Sequence, residues 1–195
     1  MIEPIIDTLL DNLSNKYGFD RSDTNLLHTG RRVADAYDEL LGGYKEDPKE
    51  LLKVTFSANN YNQMIVCKDI DFYSLCAHHM LPFFGKIAVG YLPKMGFGPD
   101  ANSYVVVGLS KLARVCQVFA RRLQIQERLT QQIAEAIQKH LEPIGLGVVV
   151  YDVKHLCMLM RGVKQHSSTM DTSCMKGEFM HDAAVRAEFF SMIGK

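Results

Sequence analysis

The sequence predicts an α+β protein: an antiparallel sheet with two helices on one face, preceded by N-terminal helices. Three observations carry that expectation. The hydrophobic period is helical up to about residue 60 and changes to a strand-like pattern from about Gln63. Two amphipathic helical stretches then follow each other between Gly108 and Pro143. β-branched and aromatic residues return after them, so the main body reads strand, strand, helix, helix, strand, strand. The expected organisation is a helical region over residues 1–60 and the sheet-and-helix domain over 61–195.

Each element has a local reason. "EPIIDTLLDNL" places Pro4 near a helix start and Ile6, Leu9, Leu10 and Leu13 on one stripe. In "TNLLHTGRRVADAYDELLGGY", Val33, Tyr37, Leu40 and Leu41 share a face, and Gly42-Gly43 ends the helix. "QMIVCKDIDFYSLC" and "FFGKIAVGYLP" read as strands, and "KMGFGPDANSYVVV" as a loop. "GLSKLARVCQVFARRL" points Leu112, Val115, Phe119 and Leu123 inward. "IQERLTQQIAEAIQKHLEP" does the same with Leu129, Ile133, Ile137 and Leu141, and stops at Pro143. "GVVVYDVKHLCMLMRG" reads as one long strand, "SSTMDTSCMKGEF" as another, and "HDAAVRAEFFSMIG" as a closing helix. A sheet with helices on one face leaves its other face or its edges open, which points towards oligomerisation.

Composition limits the function. The 195 residues carry 22 basic and 22 acidic side chains, so no net charge favours a nucleic acid or membrane surface. No apolar run approaches the length of a membrane span, and "MIEPIIDTLLDNLS" lacks the basic region of a secretory signal. Cys67, Cys76, Cys116, Cys157 and Cys174 are irregularly spaced, which suits cytoplasmic thiols, some of them metal-bound, better than a disulfide framework.

"SLCAHHMLPFF" sets Cys76 two residues before His78 and His79. On an extended "KHLCMLMR", residues two apart share a side, so His155, Cys157 and Arg161 face one way. Cys76, His79 and Cys157 then make a three-ligand set, which with a water is the pattern of catalytic zinc. His78 and His155 would stand beside the metal as proton-transfer groups. Spacing equally allows a closed structural site with His78 or Cys174 as fourth ligand, and buried cysteines are often only small hydrophobes. Ser110, Lys111 and Arg114 lie at a helix start, where anions bind, although a solvated helix face has the same composition. On the extended reading Arg161 sits roughly 13 Å beyond Cys157, a span that suits a ligand with a remote polyphosphate. Gln126 and Glu127 open the second helix; Glu127 serves equally as a dipole-complementing acid or as a partner for two adjacent N–H donors.

In order, "CAHH", "GKIAVGYLP", "GLSKLAR", "RRLQIQERLTQQI" and "HLCMLMRGV" resemble GTP cyclohydrolase I, with similarity from about Thr24 to the C-terminus. The resemblance implies the tunnelling fold, a toroidal homodecamer and active sites at subunit boundaries. It implies hydrolysis of GTP at C8, release of formate and formation of 7,8-dihydroneopterin triphosphate. It assigns Zn2+ to Cys76, His79 and Cys157, and proton transfer to His78 and His155. Guanine falls to Glu127 with Gln126 beside it, and the triphosphate to Ser110, Lys111, Arg114 and Arg161. Arg32, in "HTGRRVA", matches an arginine given by a neighbouring subunit. The chain departs from the family pattern at Ala77, usually Glu, at Gly30, usually Pro, and at Asp35, often basic. The link from Lys94 to Val107 is longer than usual. Two rival readings are a ring-opening enzyme that stops early or takes another purine nucleotide, and a non-catalytic zinc-stabilised nucleotide or pterin binder.

Overall fold

The structure is a computed structural model and describes residues 2–96 and 102–195. It divides into two compact units, Met1–Gly42 and Gly43–Lys195. In the first, helices α1 (Glu3–Tyr17) and α2 (Thr29–Leu40) pack on each other. Arg21 ties the unit by ion pairs to Asp7 at 3.0 Å and Asp11 at 2.8 Å. The stripe expected on α1 is only partly covered within the chain, since Leu9 is 50% exposed.

The second unit begins at Gly43, earlier than the expected division near residue 60, because residues 43–60 contribute to its core and to a small two-stranded sheet. The Gly43 carbonyl accepts from Arg122. Helix α3 (Pro48–Leu52) delivers the buried Leu52 to the main core. Strand β1 (Thr55–Ser57) pairs antiparallel with β4 (Val105–Val107). The stretch read as a loop after Pro93 therefore contains a strand, while residues 97–101 of the long link lie outside the described residues.

Five strands form the main sheet, in the order β5 (Leu123–Gln124), β2 (Ile65–Cys76), β3 (Pro82–Leu92), β6 (Gly145–His155) and β7 (Met170–Gly177). Only the short β2–β5 pairing is parallel. Helices α4 (Leu109–Ala120) and α5 (Gln126–Leu141) pack against this sheet with Leu112, Val115, Phe119, Leu129, Ile133 and Ile137 in the core. Helix α4 ends before Leu123, which lies in β5, and α5 ends with Glu142 in the left-handed region, φ 51°, ahead of Pro143.

Two strands of the sheet carry β-bulges: β2 between Cys67 and Ile70, and β6 between Val150 and Lys154, where it shifts register against both β3 and β7. Asp69 and Asp152 take positive φ there, 58° and 54°. Each bulge adds local twist, so bulges on the two strands flanking β3 coil the sheet. Tyr151 pins the bend by donating to Asp69 Oδ1 at 3.1 Å and accepting from Asp69 N at 3.2 Å.

The other sheet face is not simply left open. A short turn, α6 (Leu156–Leu159), follows β6, and after β7 the chain forms helices α7 (Glu178–His181) and α8 (Ala183–Ile193). Phe179 and Phe189 join Ala88, Val149 and Tyr151 in a second buried cluster, their rings edge to face at 5.3 Å. The seat for these rings is a glycine pair, since Gly90 lies opposite Gly147 in the β3–β6 ladder. No helix among the described residues is long and apolar enough to cross a membrane.

A Cβ at Gly147 would meet Phe179 at 2.6 Å and Phe189 at 2.8 Å, whereas one at Gly42 would meet nothing within 4 Å. Gly147→Ala is therefore expected to lose about 1–3 kcal/mol by overpacking, read as a lower urea midpoint. Gly42→Ala is expected to stay within about 0.5 kcal/mol. Equal midpoints for the two variants would refute this packing account.

Candidate metal and proton-transfer site

The site begins where β2 runs out. A tight turn connects Cys76 to β3: the Cys76 amide donates to Leu81 O at 2.9 Å, and the Met80 amide donates to Cys76 O at 2.7 Å. Met80 takes φ 55°, a conformation uncommon for a residue with a Cβ, and these bonds hold it there. The Ala77 amide donates to Gln124 O at 2.8 Å and fastens the turn to β5. His78 and His79 are displayed on this turn, both exposed, beside the buried Cys76.

Cys157 arrives by a different path from the expected one. Strand β6 ends at His155, opposite Phe83, and its partner β3 starts at Pro82, so the ladder has no further rung. Leu156–Leu159, with no β-branched residue and compatible with helix, turn into α6 instead. His155, Cys157 and Arg161 therefore do not share one strand face. The turn folds the chain back, and Arg161 Nη1 lies 3.2 Å from His79 Nε2. The extended-strand distance from Cys157 does not apply.

The turn nonetheless brings the three expected ligands together. Donor atoms of Cys76, His79 and Cys157 all lie within 4.8 Å of one another, with Cys76 Sγ 3.8 Å from His79 Nδ1. Zinc at about 2.3 Å from sulfur and about 2.0 Å from nitrogen needs tetrahedral donors about 3.5 Å apart. The set fits such an ion with small closing movements. Donor chemistry agrees: burial, with the adjacent Cys76 thiol next, pushes the Cys157 thiol up, and a bound cation is what makes paired thiolates favourable. Among the described residues the mutually close set includes neither His78 nor Cys174. His78 approaches Cys76 Sγ at 3.8 Å, with its ring edge-on to that of His79. Cys174 sits on β7 opposite Val148 and packs against the main core.

His155 is held on two sides. Its ring stacks on buried Phe83, 4.7 Å between centroids and 5° from parallel. Its Nε2 lies 2.9 Å from Oε1 of Gln126, the first residue of α5. Burial lowers its pKa, opposed by the charge of Glu127, so the neutral ring is favoured. A cavity of about 450 Å³ opens beside His155 and Cys157, walled by Val153, Met158 and residues 168–170.

Glu127, next in α5, is exposed and has no hydrogen-bond partner among the described residues. Ser110, Lys111 and Arg114 share the start of α4, which follows Gly108 as an N-cap without a side-chain bond. Ser110 and Arg114 are exposed and Lys111 half-buried; neither cation is ion-paired among the described residues. No described contact joins this group to the cysteine–histidine set. Arg32 belongs to the N-terminal unit, where it donates to Leu27 O at 2.8 Å, Asn25 O at 3.0 Å and Thr29 Oγ1 at 2.9 Å.

Sequence reasoning missed Phe83, Thr130 and Thr172. Thr130 had a signal: it follows Gln126 by four on the face of α5 that also carries Ala134 and Ile137, all buried. Polar side chains on a core-facing stripe need partners. Gln126 is supplied by Thr172 Oγ1 at 3.2 Å, and Thr130 by Thr172 Oγ1 at 2.7 Å.

Residues 6–194 match the model of the family described as GTP cyclohydrolase I. GTP cyclohydrolase 1 of Chlorobium phaeovibrioides is 50% identical over 186 residues, 95% of this chain and 77% of the relative. That of Chlorobaculum tepidum is 46% identical over 195 residues, 98% of this chain and 83% of the relative. That of Wolinella succinogenes is 47% identical over 176 residues, 90% of this chain and 89% of the relative. A family match over nearly the whole chain, carried by relatives this similar, has one consequence: the chain belongs to the GTP cyclohydrolase I family.

Proposed function

We propose that the protein is a zinc-dependent GTP cyclohydrolase I, hydrolysing GTP at C8 to formate and 7,8-dihydroneopterin triphosphate. The observation that carries this reading is the convergence of Cys76, His79 and Cys157, flanked by His78 and His155 and opening on a cavity. Its coiled antiparallel sheet, with α4 and α5 on one face, suits the tunnelling fold. Zinc held by the two thiolates and the imidazole would supply Lewis-acid activation of water for attack at C8.

The protein's own groups handle recognition and protons. Glu127 offers two acceptor oxygens to the adjacent N1–H and N2–H donors of guanine. Ser110, Lys111 and Arg114, at the N-terminal turn of α4, take triphosphate oxygens, assisted by Arg161. Arg32 comes to the same phosphates from a neighbouring subunit of a homodecamer. Zero net charge with these cations locally clustered matches an anionic nucleotide better than a nucleic acid. His78 and His155 exchange the protons that ring opening requires: one reaches the purine N7, making C8 electrophilic, and others reach the nitrogens as C8–N bonds break. Ring opening consumes two waters and pterin closure returns one. The reading places this chemistry in the cytoplasm.

Three measurements test the proposal. Zinc-loaded protein given GTP is expected to release formate and dihydroneopterin triphosphate in equal amounts, with both lost on chelation and recovered with zinc. Formate without pterin would instead favour an enzyme that stops after ring opening, a change to which Ala77 beside the ligands would be relevant. Cys157→Ala is expected to lose zinc on dialysis and to lose turnover, while Cys174→Ala keeps both; an active, metal-free Cys157→Ala protein would sink the mechanism. Glu127→Ala is expected to lower kcat/KM for GTP by about 10–100-fold, the value of hydrogen bonds to a charged group, and to narrow the preference over ATP. Unchanged selectivity would remove Glu127 from base recognition.

A further inference from the structure

Gln126 is 1% exposed, and both ends of its side-chain amide are hydrogen-bonded. The amide nitrogen lies 3.0 Å from Met170 O and 3.2 Å from Thr172 Oγ1, with Val150 O at 3.5 Å. Backbone carbonyls only accept, so the nitrogen must face them and the amide cannot be flipped. Oε1 therefore faces His155 Nε2 at 2.9 Å. An amide oxygen also only accepts, so the hydrogen of this bond sits on Nε2.

The support behind the amide is a closed ring. Thr130 Oγ1 donates to Gln126 O at 2.9 Å, which commits its only hydrogen. The 2.7 Å bond between the two threonines then requires Thr172 to donate to Thr130. Thr172 in turn accepts from the Gln126 amide. Every donor points the same way round, from amide to Thr172, to Thr130, to the backbone carbonyl of Gln126. Phe83 adds a flat wall that sets the plane of the imidazole.

We propose that Thr172 and Thr130, acting through Gln126, hold His155 as its Nε2–H tautomer, so that Nδ1 is the ring atom that exchanges a proton with substrate. Thr130, Thr172 and Gln126 are positioning residues; His155 is the group that touches substrate. Gln126 serves the guanine only indirectly, because it is buried and its amide hydrogens are taken within the protein. The inference rests on the reading of His155 as a proton-transfer group in GTP hydrolysis.

The test joins a spectrum to kinetics. In zinc-loaded protein labelled with 15N-histidine, with His155 assigned by its loss in His155→Asn, the neutral ring is expected to show Nε2 protonated and Nδ1 bare. Thr172→Val keeps the shape of the side chain and removes the hydroxyl. Positioned acid–base groups contribute about 10²–10⁴-fold, and loss of this support is expected to forfeit about tenfold in kcat. KM for GTP is expected to stay within about twofold, because ground-state binding is untouched. Thr172→Ser should restore kcat. A ring protonated on Nδ1 overturns the proposal, as does an unchanged kcat in Thr172→Val, a rise in KM alone, or failure of serine to restore activity. Absence of formate release by the parent protein would instead defeat the functional reading, and the spectrum would still decide the tautomer.

Discussion

The site depends on the register of three antiparallel strands. Leu75 stands opposite Pro82 and Phe83 opposite His155, so the end of β2, the start of β3 and the end of β6 meet at one corner of the sheet. Cys76 and Cys157 are each one or two residues beyond that corner and are carried into contact by it. A slip of one residue in either ladder would send alternate side chains to the opposite face and separate the thiols. The bulges in β2 and β6 add to the specification, because an extra residue on each of them allows only one alignment with β3 between them. The hydrophobic clusters on the two sheet faces hold that alignment from both sides.

Around this corner the protein separates soft from hard chemistry. Two thiols and an imidazole gather at the turn between β2 and β3, where Cys76 is shielded and His79 is open to solvent. A short distance away His155 stands on the apolar Phe83 and is addressed by a neutral amide, an environment that disfavours charge on the ring. Groups with different tasks thus receive different surroundings from one sheet edge and one helix start. The buried polar residues that make this possible, Gln126 and Thr130, are satisfied by one another and by β7, so their burial carries no unpaired group.

Much of this was legible in the sequence, though not always by the right route. Cys76, His79 and Cys157 were chosen partly by strand periodicity, yet Cys157 reaches the others on a helical turn. Periodicity describes a strand only while it has a partner, and the ladder here ends with Phe83 opposite His155. The same cause misplaced Arg161, which the turn returns to His79. Helices α4 and α5 were legible because their apolar stripes are continuous over several turns. The second cluster was not, because it needs a pair of glycines on different strands to face two phenylalanines from the C-terminal helices. Thr172 was equally hidden: an alternating strand does not announce which of its polar residues will meet a helix.

X-ray absorption at the zinc edge of the loaded protein tests the central claim most directly. The account predicts two sulfur scatterers at about 2.3 Å and two lighter atoms near 2.0 Å, one of them from an imidazole. A zinc shell with no sulfur, or with three sulfurs and no place for a solvent ligand, would contradict it.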